Sequence, residues 1–193
     1  PGDENAQISE AGGVRYYKVY TDGSCREGNI RDVARAGWGA YFAPNSLFNF
    51  AAPLNGPVQT SYRAEVKAVL HVMRHSAVPT MIMCDCQAVV NTLTAYMESG
   101  SYSSNLQEMD LWKQIFTLAD GTTSRELCIQ WMPSHLDEES NKKKRDVFLE
   151  KGIIDMQDIN GNIEADKLAF QGADAHVKIN DTIIELQDKY TFT

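Results

Sequence analysis

The chain alternates short apolar runs with longer segments of helical period. Five runs rich in aromatic and β-branched residues predict strands: RYYKVYTDGS, AGWGAYF, FNFAAPL, TMIMC and ELCIQWM. Two segments, TSYRAEVKAVLHVMRHS and QAVVNTLTAYM, carry apolar stripes at helical spacing, and DLWKQI and IEADKLAFQGA predict shorter helices. Three strands, a helix, a strand, two helices, a strand and a helix, in that order, predict an α/β fold in which a mixed five-stranded central sheet has helices on both faces.

Four acidic residues lie at or near the predicted element boundaries: Asp22 before a glycine at a strand end, Glu65 one turn into a helix, Asp85 at a strand-to-helix junction and Asp166 in a short helix. One such carboxylate alone is typical of a cap, a turn or a solvated charge. Brought together they would repel, since two unit charges 4 Å apart interact by roughly 4 kcal/mol at an effective dielectric of about 20. Without cations a cluster of this kind would be unstable or protonated, and oxygen ligands favour Mg²⁺ or Mn²⁺ over zinc.

Five ordered blocks resemble the type 1 ribonuclease H family, whose members cut the RNA strand of an RNA/DNA hybrid. The blocks are YTDGSC (20–25), AGWGAYF (36–42), QTSYRAEVKAVL (59–70), MCDCQAVVN (83–91), and WMPSHLD with GNIEADKLAFQGA (131–137 and 161–173). DLWKQI at 110–115 is a weaker sixth match. Each block alone is a weak signal, but the ordered set is specific and spans roughly residues 15 to 175.

The resemblance implies a ribonuclease H-like fold and a metal-dependent endonuclease with two Mg²⁺ ions per site, for which Mn²⁺ substitutes. It makes Asp22 a ligand of both ions, Glu65 and Asp85 ligands of one, and Asp166 a ligand of the other. Two metals stabilise the attacking and leaving oxygens of an in-line displacement, and the products would carry 5′-phosphate and 3′-hydroxyl ends. His135, in PSHLD, takes the place of a family histidine that assists product release, metal release or proton handling. The alternative for His135 is a surface histidine in a loop.

The resemblance also implies substrate contacts, because the 2′-hydroxyl distinguishes RNA from DNA. The expected substrate-binding residues are Ser24, Cys25, Asn29, Ser61, Tyr62 and Asn91 along the RNA strand, Thr60 at a DNA phosphate, and Asn162 near the active site. Asn162 also suits a turn or cap, as Gly-Asn pairs often do. The family often has Asn-Gln where this chain has Ser61-Tyr62, which weakens the expectation at that position.

Two departures concern the way the chain would hold its substrate. The segment MESGSYSSNLQEM is short and almost free of basic residues where many family members have a basic protrusion. Conversely, residues 137–160 form an insertion between His135 and Asp166, with four consecutive basic residues from Lys142 to Arg145. We hypothesise a helix there that contacts phosphates; a solvated charge run or a mobile loop is the alternative.

The domain organisation predicted is one ribonuclease H domain over residues 15–179, after a flexible extension (1–14) and before a C-terminal tail (180–193). The net charge of −8 disfavours nucleic acid, but five of these negative charges belong to the two ends, and two Mg²⁺ ions would make the remaining body slightly positive. The four cysteines have no disulfide spacing. With neither a membrane span nor a signal peptide visible, they predict a reducing compartment, the cytoplasm or nucleus.

Three functional classes stay open at this point. The first is the hybrid nuclease, with an RNA/DNA hybrid as its partner. The second is a catalytically idle module of a polyprotein, used as a tether or for interactions, although idle members usually lose an acid and all four are present here. The third is an integrase or a structure-selective DNA nuclease with the same carboxylates. Because the sequence begins at Pro1 and not at a methionine, we expect a domain of a larger protein, such as one joined to a reverse transcriptase of a retroelement. A stand-alone enzyme is the alternative.

Overall fold

The computed structural model describes residues 6–29, 33–122 and 126–176. Its strands are β1 (Ile8–Ala11), β2 (Val14–Arg26), β3 (Arg35–Tyr41), β4 (Phe50–Pro53), β5 (Thr80–Cys84) and β6 (Leu127–Trp131). Its helices are α1 (Ser61–His75), α2 (Gln87–Ser99), α3 (Met109–Asp120), α4 (Lys142–Glu150), which follows a short 3-10 helix at Glu139–Asn141, and α5 (Met156–Asp174). The predicted tail over 180–193 lies outside the described residues.

The sheet is mixed, as the order of the elements predicted. Its strands run β4-β3-β2-β5-β6, with antiparallel pairing from β4 to β2 and parallel pairing from β2 to β6. Strand β1 is an additional sixth strand that pairs antiparallel with the start of β2. The predicted extension over residues 1–14 therefore contains regular structure, because a two-glycine turn at 12–13, with both glycines at positive φ, folds residues 8–11 back onto β2.

Helices cover both faces of the sheet, as predicted. On one face, α1, α2 and α3 enclose a core that includes Leu70, Leu93 and Trp112. On the other face, α5 and the segment before it pack on a second core that includes Tyr20, Met83 and Ile159. The central strand β2 contributes to both cores, so residues near its C-terminal end lie between the two helical layers.

Two local predictions about element ends were wrong. Asp22 and Gly23 were expected at the end of a strand, where the chain would turn, but β2 continues to Arg26 and pairs Asp22 with Gly39 of β3. The helix with Asp166 is 19 residues long rather than short, and it begins at Met156, inside the segment assigned to an insertion. Gly161 and Asn162 lie within this helix rather than at a turn or cap, and a Cβ at Gly161 would come within 2.4 Å of the Tyr20 ring. Both glycines permit close packing instead of marking turns.

Candidate active site

The first two carboxylates meet because a strand and a helix approach unusually closely. Gly23 of β2 lies against the first turn of α1, where an added Cβ would be 2.3 Å from the backbone nitrogen of Glu65. Any larger residue would push α1 away from the sheet, since real Cβ atoms do not come this close to backbone. The glycine after Asp22 therefore brings the carboxylate of Glu65 beside that of Asp22.

The third carboxylate is placed by parallel strand pairing. In the register of β2 with β5, Thr21 is opposite Cys84, so the next residues along the two strands are Asp22 and Asp85. Strand β5 ends at Cys84 and α2 begins at Gln87, which confirms the predicted strand-to-helix junction. The Trp131 indole N–H donates to the backbone carbonyl of Asp85 at 3.1 Å and ties this junction to β6.

Helix α5 supplies Asp166 and Asn162 from the opposite face. Gly39, across from Asp22 in the sheet, lets this helix lie close, because a Cβ there would be 2.7 Å from the backbone nitrogen of Ala169. The first turn of α5 is anchored by Asp158, whose carboxylate accepts from the Lys18 ammonium at 2.6 Å and from the Tyr20 hydroxyl at 2.8 Å. These contacts fix the depth of α5 on the sheet.

The four acids converge on one cleft. Asp22, Glu65 and Asp85 each present an oxygen, and these oxygens lie within 4.8 Å of one another. Asp166 lines the same cleft, which has a volume of about 420 Å³ and also includes His135 and Asn162. Within the described part of the chain, His135 is the one basic side chain that lines it. The structure thus gathers the four predicted acids, with little positive charge from the protein to balance them.

Burial and mutual repulsion change the proton affinity of these groups. Burial first, and then the charges of Asp85 and Asp166, raise the pKa of Asp22 from 3.8 to about 7. Burial and the two neighbouring aspartates raise the pKa of Glu65 well above its usual range. Burial also raises the pKa of Asp85, against a hydrogen bond donated by Asn162 at 3.4 Å. Such a set of oxygen donors is suited to divalent cations, because a bound cation would relieve the repulsion that protonation otherwise relieves.

His135 stands at the mouth of the cleft on a strained backbone. Its φ of 55° lies in the left-handed region, and its side chain is 65 % exposed. The Asn141 side-chain amide donates to the His135 carbonyl at 2.9 Å, and the Arg145 guanidinium donates to the next carbonyl, that of Leu136, at 3.0 Å. The loop that carries His135 is therefore anchored by hydrogen bonds to Asn141 and Arg145.

Comparisons with known proteins decide the family. The family model described as RNase H matches residues 15–174. The chain belongs to the ribonuclease H family. Ribonuclease H1 from Mus musculus is 30% identical over 165 residues, which are 80% of this chain and 49% of that protein. This ribonuclease H chain therefore spans about half the length of that curated relative.

Solved structures agree on the ribonuclease H fold. A solution structure of the PFV RNase H domain is 22% identical, with a TM-score of 0.58, and covers 81% of this chain and 93% of that one. A foamy viral protease-reverse transcriptase in complex with RNA/DNA hybrid is also 22% identical, with a TM-score of 0.51, and covers 81% of this chain and 20% of that one. At this level of identity the likeness establishes the fold. The ribonuclease H-like α/β fold expected from the sequence is confirmed.

The predicted substrate-binding residues divide into two groups in this ribonuclease H fold. Ser24, Cys25, Ser61 and Asn162 line the carboxylate cleft. The other four do not line it: Asn29 in the turn after β2, Thr60 at the N-cap of α1, Asn91 on α2, and Tyr62. Thr60 accepts from the backbone N–H of Arg63 at 3.1 Å and so caps α1. Tyr62 is half-buried and its hydroxyl accepts from the Trp112 indole at 3.3 Å, so its ring supports α3 instead of lying open for stacking.

Five further residues line the cleft that were not predicted from the sequence: Gly23, Ser134, Asp137, Ile163 and Phe170. Ser134 and Asp137 flank His135 closely, so their proximity to that residue could have indicated them. Phe170 is one helical turn beyond Asp166, and its ring packs under the Arg26 guanidinium at 4.5 Å. This contact places the guanidinium of Arg26, the last residue of β2, beside a residue that lines the cleft.

Three further predictions concern the cysteines, a membrane span and the segment after His135. All four cysteines are free, and burial raises the pKa of the Cys84 thiol, which lies beside Glu65. Among the helices of the described ranges, none is long and apolar enough to cross a membrane. The segment after His135 includes the helix α4, as hypothesised.

Proposed function

We propose that the chain is a metal-dependent endonuclease that hydrolyses the RNA strand of RNA/DNA hybrids and leaves 5′-phosphate and 3′-hydroxyl ends. The observation that carries this proposal is the convergence of Asp22, Glu65, Asp85 and Asp166 on one cleft. Membership of the ribonuclease H family supplies the substrate class. An idle module would have no need to keep a buried acid cluster, which is destabilising when its carboxylates are ionised without cations.

The proposed ligand set is the one that the ribonuclease H resemblance implies. Asp22, the most central acid by its contacts, would be shared by two Mg²⁺ ions, and Mn²⁺ would substitute. Glu65 and Asp85 would complete one position and Asp166 the other, since Asp166 reaches the cleft from the opposite helical layer. Bound divalent cations would activate a water and stabilise the attacking and leaving oxygens of an in-line displacement at phosphorus.

The chain's own residues would orient the reactants. Asn162 donates to Asp85 and so limits the positions available to that carboxylate. His135, exposed at the mouth of the cleft, would take up or release a proton near the leaving group, or help product and metal to leave. Ser24, Cys25 and Ser61 lie where ribose hydroxyls of the RNA strand would enter. Contacts with the substrate beyond the cleft would involve the other four predicted residues, Asn29, Thr60, Tyr62 and Asn91.

A larger assembly is also proposed. The foamy viral relative of similar fold is a protease-reverse transcriptase described in complex with RNA/DNA hybrid. By analogy, a reverse transcriptase, joined to this chain or bound to it, would deliver the hybrid. We further propose that the domain spans residues 15–179. The predicted insertion, residues 137–160, would form an added structure beside the active site, and its last residues belong to the start of α5.

The decisive experiment is cleavage of an end-labelled RNA/DNA hybrid, compared with single-stranded RNA, duplex RNA and duplex DNA, in Mg²⁺ or in EDTA. We expect cutting of the hybrid alone, only with metal, with loss of activity in Asp85→Asn. Glu98→Gln is the matched control, because it neutralises an exposed acid on α2 away from the cleft. Cleavage of duplex DNA by the wild-type chain would favour the DNA-nuclease class, and no cutting in Mg²⁺ or Mn²⁺ would favour the idle module.

A further inference from the structure

Helix α4 has a fixed position beside the carboxylate cleft. Its N-terminal end is bound to the His135 loop through the Asn141 and Arg145 hydrogen bonds to backbone carbonyls. Near its C-terminal end, Phe148 packs edge-on against Trp131 with ring centroids 6.2 Å apart, and the Trp131 indole donates to the Asp85 carbonyl. The helix is thus connected at both ends to elements that carry active-site residues. Its exposed side chains therefore keep a defined direction relative to the cleft.

The charges of α4 are divided between two exposed sides. Arg145, Phe148 and Leu149 are partly buried and define the packed side. Lys142, Asp146 and Glu150 recur at intervals of four residues on one exposed flank, where two acids outweigh one lysine. Lys143, Lys144 and Lys151 share the other flank with Val147, all four are exposed, and no acid of the helix interrupts them. We name these three lysines the basic stripe.

We propose that the basic stripe binds the phosphate backbone of the nucleic-acid duplex that enters the cleft. The proposal rests on the nuclease function proposed above and adds a second contact region, outside the metal site. From Lys143 to Lys151 the rise is about 12 Å along the helix axis at 1.5 Å per residue. Since one strand places a phosphate every 3.4 Å or so along the duplex axis, this length is enough for contacts with several phosphates.

The basic stripe would also resolve the electrostatic mismatch of an acidic chain that binds a polyanion. The cleft itself is lined by five acids, Asp22, Glu65, Asp85, Asp137 and Asp166, and their charge would repel a duplex. Lysines on a neighbouring helix, held by the contacts described above, would offset this repulsion. Lys142 contributes little, because it lies 3.8 Å from Glu139 in an exposed pair.

The test compares two triple variants with equal loss of charge, both in an Asp85→Asn background that prevents cleavage. The first neutralises the stripe, Lys143→Gln/Lys144→Gln/Lys151→Gln. The control, Arg15→Gln/Lys113→Gln/Lys142→Gln, removes three exposed positive charges outside the basic stripe. One of them, Lys142, is on the other flank of α4. Binding of a labelled RNA/DNA hybrid is measured by fluorescence anisotropy between about 50 and 200 mM salt at constant Mg²⁺. Circular dichroism and thermal unfolding confirm that both variants are folded.

We expect the stripe variant to lower the slope of log affinity against log salt by about 2 to 3, since each lost phosphate contact removes roughly 0.9 or somewhat less. The control should keep the slope of the parent. An unchanged slope in a folded stripe variant, or an equal fall of the slope in the control, would overturn the proposal that the basic stripe binds phosphates. Cleavage of the hybrid by the wild-type chain would still support the nuclease proposal. A wild-type chain that neither binds nor cuts the hybrid would overturn both.

Discussion

Replacing Asp22 by asparagine should stabilise the metal-free protein, although the same change should remove its activity. Asp22 is 7% exposed and lies among carboxylates that repel its charge. Its pKa is raised in the folded state, so the group contributes stability below its ordinary pKa and that stability is lost as the pH rises through the folded value. Asparagine has nearly the same shape and cannot ionise, so the variant does not lose this stability as the pH rises.

The magnitude follows from the raised pKa. A rise from 3.8 to about 7 spans about three pH units, and each unit corresponds to 1.36 kcal/mol, which gives about 4 kcal/mol between pH 4 and pH 7. For a chain of this size, 1 kcal/mol moves the melting temperature by about 2–4 °C. In EDTA at pH 7 to 8, Asp22→Asn should therefore melt about 8–16 °C above the wild type, and the difference should shrink towards pH 4.

Thermal unfolding by circular dichroism from pH 4 to pH 8 measures this difference, with and without Mg²⁺. Bound metal should raise the melting temperature of the wild type and do so much less in Asp22→Asn, because a ligand and its charge are gone. Glu98→Gln, at an exposed helical acid, should show neither effect. If Asp22→Asn melts at or below the wild-type temperature in EDTA at pH 7 to 8, the cluster is not under electrostatic strain and the reasoning fails.

Three further predictions concern the parts that support the site. Asp158→Ala should lower the free energy of unfolding by about 3–5 kcal/mol, measured in urea, because it removes the nearer partner of the largely buried Lys18, which keeps Asp155 at 3.9 Å, and takes an acceptor from the buried Tyr20 hydroxyl; a loss below about 1 kcal/mol would contradict this. Gly23→Ala should cost about 3 kcal/mol or more and weaken Mg²⁺ binding by calorimetry, whereas Gly121→Ala, with its nearest atom at 3.7 Å, should be nearly neutral. Asn141→Ala should reduce hybrid cleavage, but should reduce it little further in a His135→Ala background, since both act through one loop; additive losses would separate them.

The sequence alone identified the acids, but it misjudged two of the glycines around them. Asp-Gly and Gly-Asn are strong turn signals in isolation. Here Gly23 continues a strand, and Gly161 lies inside α5 against the Tyr20 ring. In both cases the glycine is required by an element distant in sequence, which local pattern reading cannot detect. The same holds for Tyr62, whose partner Trp112 is 50 residues away.

What the sequence determined by itself is five of the six strands, the main helices and the four carboxylates, because the period and order of apolar residues depend on short-range geometry. What the tertiary structure decided is the distance between those carboxylates, which depends on the register of β2 with β5 and on glycines that let α1 and α5 approach the sheet. The tertiary structure also determines the orientation of α4. Hydrogen bonds to the His135 loop and packing on Trp131 fix one side of this helix, so the lysines of the other side are exposed. Such choices arise from contacts between residues far apart in the chain, where no local pattern records them.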